Sequence, residues 1–400
     1  MTTTRLQNLR RTAWQRYEAL PWPTKTDEEW RRTDPGQIDF SKVELEPGPP
    51  AFQVGWETLP PELIHQGVIL TDFNSALKQF PELIEEYLFQ TGTVKMLPKF
   101  VALHQALWSQ GLFCYVPDGV EVTLPLKAWG QVEKGGVAIF PHTLLVVGQG
   151  AHVTLIEERR GAQGLTGPVI CDEMVEIFVK AGAFVTYIHL QQWGPSVAEL
   201  FTQRTLLEQD SQFLNVTVEL GGRLTKANVE TVLKGAGCRA ELLGILFGSD
   251  EQHFDFHTLQ DHEAQATFSD LLYKSALKDH SQAIYTGLIR IEKQAQKSDA
   301  YQANRNLLLS QGAKADSIPM LEILADDVRC THGVAVGPVD QEQAFYLMSR
   351  GLRHEEAQRL IVEGFFEQIF KRIPVESLRE QLMGEVAKRL NGSHEHVRVG

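Results

Sequence analysis

Cysteine is scarce in this chain. The 400 residues hold four, Cys114, Cys171, Cys238 and Cys330, and no two form a C-x-x-C pair. That spacing excludes a disulfide-stapled secreted module and a local zinc finger, and it fits a reducing cytoplasm. Positive charge is also short: 38 Lys and Arg stand against 51 Asp and Glu, a net charge of −13. A nucleic-acid binder needs a basic face to displace phosphate counterions, so nucleic acid is not an expected partner. No apolar run approaches the roughly 18 residues of a membrane-spanning helix. No apolar stretch follows the first basic residues, so no secretory leader is expected. The phosphate-cradling G-x-x-x-x-G-K-[ST] loop is absent, as are G-x-S-x-G and G-x-G-x-x-G. The chain is therefore not expected to hydrolyse ATP by itself.

What remains is a globular composition, 43% hydrophobic and 22% charged, too long for one ordinary core. Three textures follow one another. Residues 1–110 mix helical patterns with proline-rich connections. Leu6, Leu9, Ala13, Tyr17 and Leu20 recur at helical spacing, and Pro47-Gly48-Pro49-Pro50 reads as a loop. Residues 111–337 carry short β-rich runs: Leu144 to Val147, Val153 to Ile156, Phe184 to Ile188, Leu214 to Val218. A small-residue corner precedes such runs at Gly150-Ala151, Gly182-Ala183, Ser211-Gln212, Gly237-Cys238, Ser281-Gln282 and Gly312-Ala313, at steps of about 26 to 44 residues. A weak repeat of strand and turn over more than 200 residues predicts a solenoid, specifically a parallel β-helix. A β-sandwich is the structural competitor. Residues 338–400 turn helical again, with Asp340 as an N-cap and Gly351 as a C′ residue. The helical regions at the two ends are expected to cover the open ends of the solenoid.

Soft-ligand residues are the candidates for chemistry. Cys330 and His332 stand at i and i+2 in Arg329-Cys330-Thr331-His332-Gly333, so on a strand they share one face, with Cα atoms ~6–7 Å apart. A thiol and an imidazole suit iron or zinc, but two ligands cannot close a tetrahedral site. An inert core cysteine with a satisfied histidine is the plainer reading. His253, Asp255 and His257 alternate with Phe254 and Phe256. That pattern allows a divalent-metal site, or a polar outer face over a phenylalanine-filled core. The polar stretch Asp299 to Leu307 reads as an internal hydrogen-bond ladder. In the C-terminal region, Phe365, Phe366 and Phe370 exceed what three short helices need for a shared core, which predicts an exposed apolar docking patch.

Several of these stretches resemble the SufB/SufD family, the paired chains of the SufBCD iron–sulfur cluster assembly complex. The likeness rests on Leu20-Pro21-Trp22-Pro23-Thr24, Glu28 through Pro35, Gln252-His253-Phe254-Asp255, Asp261-His262, Asp299 to Leu309, Leu321-Glu322-Ile323, Ala325 through Gly333, and Phe345 through Gly351. The N-terminal motif and the sparse cysteines look more like the SufD side than the SufB side. The resemblance implies a mainly β fold, a right-handed parallel β-helix flanked by N- and C-terminal helical regions. It implies a non-catalytic cytoplasmic scaffold that pairs with a SufB paralogue and binds the ATPase SufC through residues 338–400, for which Tyr346, Arg350, Phe365, Phe366 and Phe370 are the candidates. It places the family's C-[ST]-H-G histidine on His332 and its cysteine on Cys330, as ligands to iron or a nascent iron–sulfur cluster held transiently at the interface. No cofactor is expected to stay tightly bound to the isolated chain, which could form a homodimer. Two alternatives remain: a β-helix carbohydrate-active enzyme, for which Asp326-Asp327 is the only crowded acidic pair near a site, and a structural homo-oligomer without metal chemistry.

Overall fold

Strand-forming residues dominate from Gln110 to Pro338, in runs of about ten separated by tight corners, and this pattern winds into stacked coils. The computed structural model describes residues 3–45, 51–92, 97–161 and 164–390. The loop expected at Pro47–Pro50 lies outside them. One sheet runs, in spatial order, β1 (Phe52–Trp56), β4 (Leu126–Val132), β7 (His152–Gly161), β9 (Phe184–Gln192), β11 (Gln212–Glu219), β13 (Arg239–Gly248), β15 (Phe268–Leu277), β17 (Asp299–Leu308) and β19 (Arg329–Pro338). The other runs β2 (Ile69–Asp72), β3 (Gln110–Val116), β6 (Pro141–Val147), β8 (Val169–Val179), β10 (Val197–Leu207), β12 (Leu224–Leu233), β14 (His253–His262), β16 (Gln282–Ile291) and β18 (Lys314–Ile323), with β5 (Val137–Ile139) beside β8. Pairing is parallel throughout, except β1 with β4 and β2 with β3. Each coil contributes one strand to each sheet, which makes a parallel β-solenoid. β1 and β2 bring part of the first 110 residues into the sheets.

The corners explain the irregular repeat. From β7 onward the first sheet's strands start at residues 152, 184, 212, 239, 268, 299 and 329, so a coil takes 27 to 32 residues. Left-handed residues precede six of these strands: Gly150, Gly182, Asp210, Gly237, Ala266 and Lys297. Where glycine fills the corner the positive φ is free of strain, and the other three pay a steric cost. Ala266 and Lys297 hide two copies of the corner from the sequence pattern. Ser281 and Gly312 precede β16 and β18 on the other sheet, so the long step from Gly237 to Ser281 spans one and a half coils.

Alternation divides the side chains between lumen and outer faces. Inward residues of both sheets, among them Val175, Ile177, Phe201, Val229, Leu242, Phe254 and Phe256, form the central core. Outward residues are also apolar over the middle coils, as buried parallel strands require. Ile188, Leu190, Val216, Val218, Leu243, Ile245 and Phe247 pack against Val362, Phe366, Ile369 and Phe370 of helix His354–Phe370, and against Leu378, Leu382 and Val386 of helix Glu376–Leu390. The N-terminal helices cover the outer face of the other sheet through Phe73, Ile84, Phe100 and Leu103 against Leu144, Val146, Ile170 and Leu200. The expectation that both helical regions cover open ends is thus corrected for the C-terminal end. The helices there fold back across an outer face because that face is apolar, and no described residue pairs with the outer edges of β18 and β19.

Candidate functional site

Among the described residues β19 pairs only with β17 and β18 only with β16, so the final coil presents one unpaired edge of each sheet. In register, Cys330 stands over Ala300 and His332 over Gln302, followed by Val334 over Asn304 and Val336 over Asn306. One coil earlier these inward positions are sealed, with Gln302, Asn304 and Asn306 no more than 5% exposed. On the last coil no further layer covers them, and Val334 and Val336 are each 44% exposed. Leu321 and Ile323 are exposed on β18, joined by Met320 and by Leu324 just beyond it.

Cys330 is half-buried against Ile289, Ile291, Ala295, Ala300 and Ala325. Burial, helped by the Asp299 carboxylate, pushes its thiol up to about 11. Burial therefore favours the protonated thiol over the nucleophilic thiolate. His332 is solvent-exposed on the same strand face and makes no hydrogen bond or ion pair with another described residue. Its ring is available to a ligand. The strand thus brings together an open imidazole and a shielded thiol, inside an apolar rim. Asp326 and Asp327 sit exposed on the turn before β19 and do not share its face.

His253, Asp255 and His257 do line up on one outer face of β14, with Phe254 and Phe256 in the core beneath. The cation they hold is an ammonium. Lys226, in register with Asp255 on β12, places Nζ 2.7 Å from Asp255 Oδ2 and 3.3 Å from His257 Nε2. The same ammonium donates to the Glu29 carbonyl at 2.7 Å and lies 4.8 Å from the Trp30 ring centroid. Thr33 closes the cluster, its hydroxyl bonded to Asp255 and 2.9 Å from His253 Nε2. Burial raises the Asp255 carboxyl, but His257 and Lys226 outweigh it and hold the group well below the usual carboxylate range. Two stretches far apart in sequence, Glu28–Pro35 and His253–His257, therefore dock on each other. The sequence pattern missed Lys226 because a lone lysine in a strand reads as a solvated residue.

The Asp299–Leu309 stretch forms the expected ladder: Asn306 Nδ2 donates to Asn304 Oδ1 at 2.6 Å, and Gln302 Nε2 to the Gly287 carbonyl at 3.3 Å. The C-terminal aromatics divide. Tyr346 is exposed on helix Gln341–Ser349, and Arg350 follows it with Nη2 3.0 Å from the Tyr346 hydroxyl. Phe366 and Phe370 are buried against the solenoid and Phe365 is half-buried, its carbonyl accepting from Lys274 Nζ at 2.6 Å. The exposed patch expected from these phenylalanines is therefore a correction. The outer sheet face takes them up, and the large apolar side chains these helices leave exposed are Phe345, Tyr346, Met348, Leu360 and Met383. Asp340 caps the helix as expected, accepting from Glu342 and Gln343.

A family model described as SUF system FeS cluster assembly, SufBD core domain, matches residues 130–365, and one described as SufBD protein N-terminal region matches residues 55–128. The iron–sulfur cluster assembly protein SufB of Bacillus subtilis is 33% identical over 333 residues, which covers 81% of this chain and 69% of that protein. An iron–sulfur cluster assembly SufBD family protein of Staphylococcus epidermidis is 34% identical over 329 residues, with the same two coverages. A Staphylococcus aureus protein of that description is similar at 33%.

Proposed function

Because the chain belongs to the SufBD family of iron–sulfur cluster assembly proteins, we propose that it is a SufD-type scaffold subunit without a reaction of its own. In this reading it pairs with a SufB paralogue through its open terminal coil, docks a SufC ATPase on its C-terminal helices, and lends His332 and Cys330 to a nascent cluster at the paired interface.

The observation that carries this reading is the uncovered coil, with two free sheet edges and an apolar rim around one imidazole and one thiol. A second solenoid edge would extend both sheets and bury Met320, Leu321, Ile323, Val334 and Val336. Imidazole binds iron through a ring nitrogen, and the exposed His332 ring is open to it. The Cys330 thiol, held at about 11, gives up its proton only to a metal. His332 is thus the first ligand and Cys330 the second. The remaining ligands come from the paralogue and from sulfide, since two do not complete a site. The cluster is cargo, and the isolated chain has no complete site for it on this coil. ATPase docking is assigned to the exposed surface of Phe345, Tyr346, Met348, Arg350 and Leu360, with the half-buried Phe365 at its margin.

Anaerobic co-expression tests this. Iron together with acid-labile sulfide should co-purify with the chain when SufB- and SufC-type partners are present. Equal iron and sulfide on the chain expressed alone, or no association with the SufB-type partner, would contradict the proposal.

A further inference from the structure

The lumen holds a second cluster of ligating groups, several coils from the open end. Cys171 and Glu173 stand at i and i+2 on β8, and Glu199 on β10 is in register with Cys171. Their ligand atoms all lie within 4.8 Å of one another, and none of the three side chains is exposed. Across the lumen, His189 on β9 stacks on Phe201, with ring centroids 4.5 Å apart. Neither of its ring nitrogens has a hydrogen-bond partner. Nε2 lies 3.6 Å from Glu173 Oε1, and Nδ1 lies 3.7 Å from Glu219 Oε1. Both Glu219 oxygens also lack a hydrogen bond, in a side chain with no exposure. His189 and its two carboxylates are held only as ion pairs at 3.6 and 3.7 Å; buried polar groups ordinarily find hydrogen bonds as well, which leaves room for a further partner.

Glu157, Glu173, Glu199 and Glu219 share this interior with the Arg159 guanidinium and the His189 imidazole. The groups around the site hold its carboxylates in place. Arg159 clamps Glu173, with Nε 3.0 Å from both carboxylate oxygens. Trp193 Nε1 donates to Glu199 Oε1 at 2.7 Å, and Gln191 Nε2 donates to Oε2 at 3.0 Å. Glu173 Oε2 and Glu199 Oε1 each accept a single hydrogen bond and keep a further lone pair, as carboxylate ligands oriented by outer hydrogen bonds do.

We propose that the solenoid lumen is a binding site for one divalent transition-metal ion, ligated by Cys171, Glu173 and Glu199, with His189 and Glu219 completing its surroundings. A thiolate with carboxylates and imidazole suits zinc, iron(II) or cobalt(II) rather than magnesium or calcium. Binding is ligand exchange without electron transfer: the sulfur–metal bond forms as the thiol proton leaves to water. The site departs from the expectation that the isolated chain keeps no bound group, and it stands independently of the assembly role, because it holds metal without sulfide.

The test uses the full chain expressed alone with zinc, then with cobalt, washed with chelator and analysed for metal, acid-labile sulfide and absorption. About one metal per chain, no sulfide, and thiolate-to-cobalt charge-transfer absorption are expected. Cys171→Ala should abolish that absorption, and Glu199→Gln, which keeps an acceptor for Trp193, should lower metal retention at least tenfold, roughly the loss seen when a metal site is disturbed. His332→Ala should change neither. A folded chain without stoichiometric metal, retention unchanged in folded Glu199→Gln, or loss only in His332→Ala would overturn the proposal. If Cys171→Ala does not fold, Glu199→Gln alone decides.

Discussion

Lys226 is the residue on which the N-terminal segment turns. Its ammonium is buried between Asp255, His257, the Glu29 carbonyl and the Trp30 ring. Lys226→Met strands the Asp255 carboxylate in an apolar setting. Breaking such a pair costs about 3–5 kcal/mol, so a lower melting temperature and early proteolysis near residues 20–45 are expected. Adding Asp255→Asn should restore part of the loss, because the stranded charge is then gone. An unchanged melting temperature in Lys226→Met would refute the pairing. Histidines set the response to acid. Burial, together with the neighbouring His142, pushes His104 down to about 3. Between that value and the free-histidine value of about 6.5, the unfolded chain binds a proton that the folded chain refuses. Stability therefore falls as pH falls through this window, by up to about 1.4 kcal/mol per pH unit from this one group. His104→Gln should flatten the fall in melting temperature between pH 6.5 and 4, and an equally steep profile would show that His104 does not carry it.

At the level of elements, the last helices bury one face against the sheet and leave another to solvent. Phe366 is fully buried against the outer sheet, so Phe366→Ala should cost about 3–5 kcal/mol. Tyr346 faces solvent, and the Tyr346→Ala, Arg350→Ala double variant should keep the parental melting temperature while losing capture of the SufC-type ATPase. Capture at the parental level would move the docking surface elsewhere. The helical periodicity of residues 354–370 was legible in the sequence, and so was the Asp340 cap. Which neighbour covers the phenylalanines was not. Amphipathic spacing says that a face is apolar, while the outer positions Ile188, Val216 and Ile245, which take that face, sit far away in sequence. The corners show the same limit: Gly150 and Gly182 announce a turn, whereas Ala266 and Lys297 make the same turn with residues that give no signal.

For the whole molecule, the described residues of the solenoid leave one end open and set one charged cluster within an otherwise largely apolar lumen. The repeat and the pairing of Cys330 with His332 on one face could be read from spacing. The lumen cluster could not, because Glu157, Glu173, Glu199 and Glu219 at alternate strand positions look like a solvated face until closure of the coil turns them inward. Lys226 is hidden for another reason: it lies on the outer face, and the segment that buries it, around Glu29 and Trp30, is far away in sequence. The open end leads to a direct expectation: Val334→Lys with Val336→Lys should stay within about 0.5 kcal/mol of the parent, as surface changes do, while abolishing association with the SufB-type paralogue. Association at the parental affinity would exclude this edge as the pairing surface.

The central claim is that His332 on the uncovered coil ligates the cluster under assembly. Iron and acid-labile sulfide on the anaerobically co-purified complex measure it most directly, with His332→Ala compared against the parent and against Cys238→Ala, a buried cysteine remote from the coil. His332→Ala should lose both iron and sulfide while keeping its partners and its melting temperature, and Cys238→Ala should keep its clusters. Clusters at the parental level in His332→Ala, or a loss explained only by unfolding, would contradict the claim.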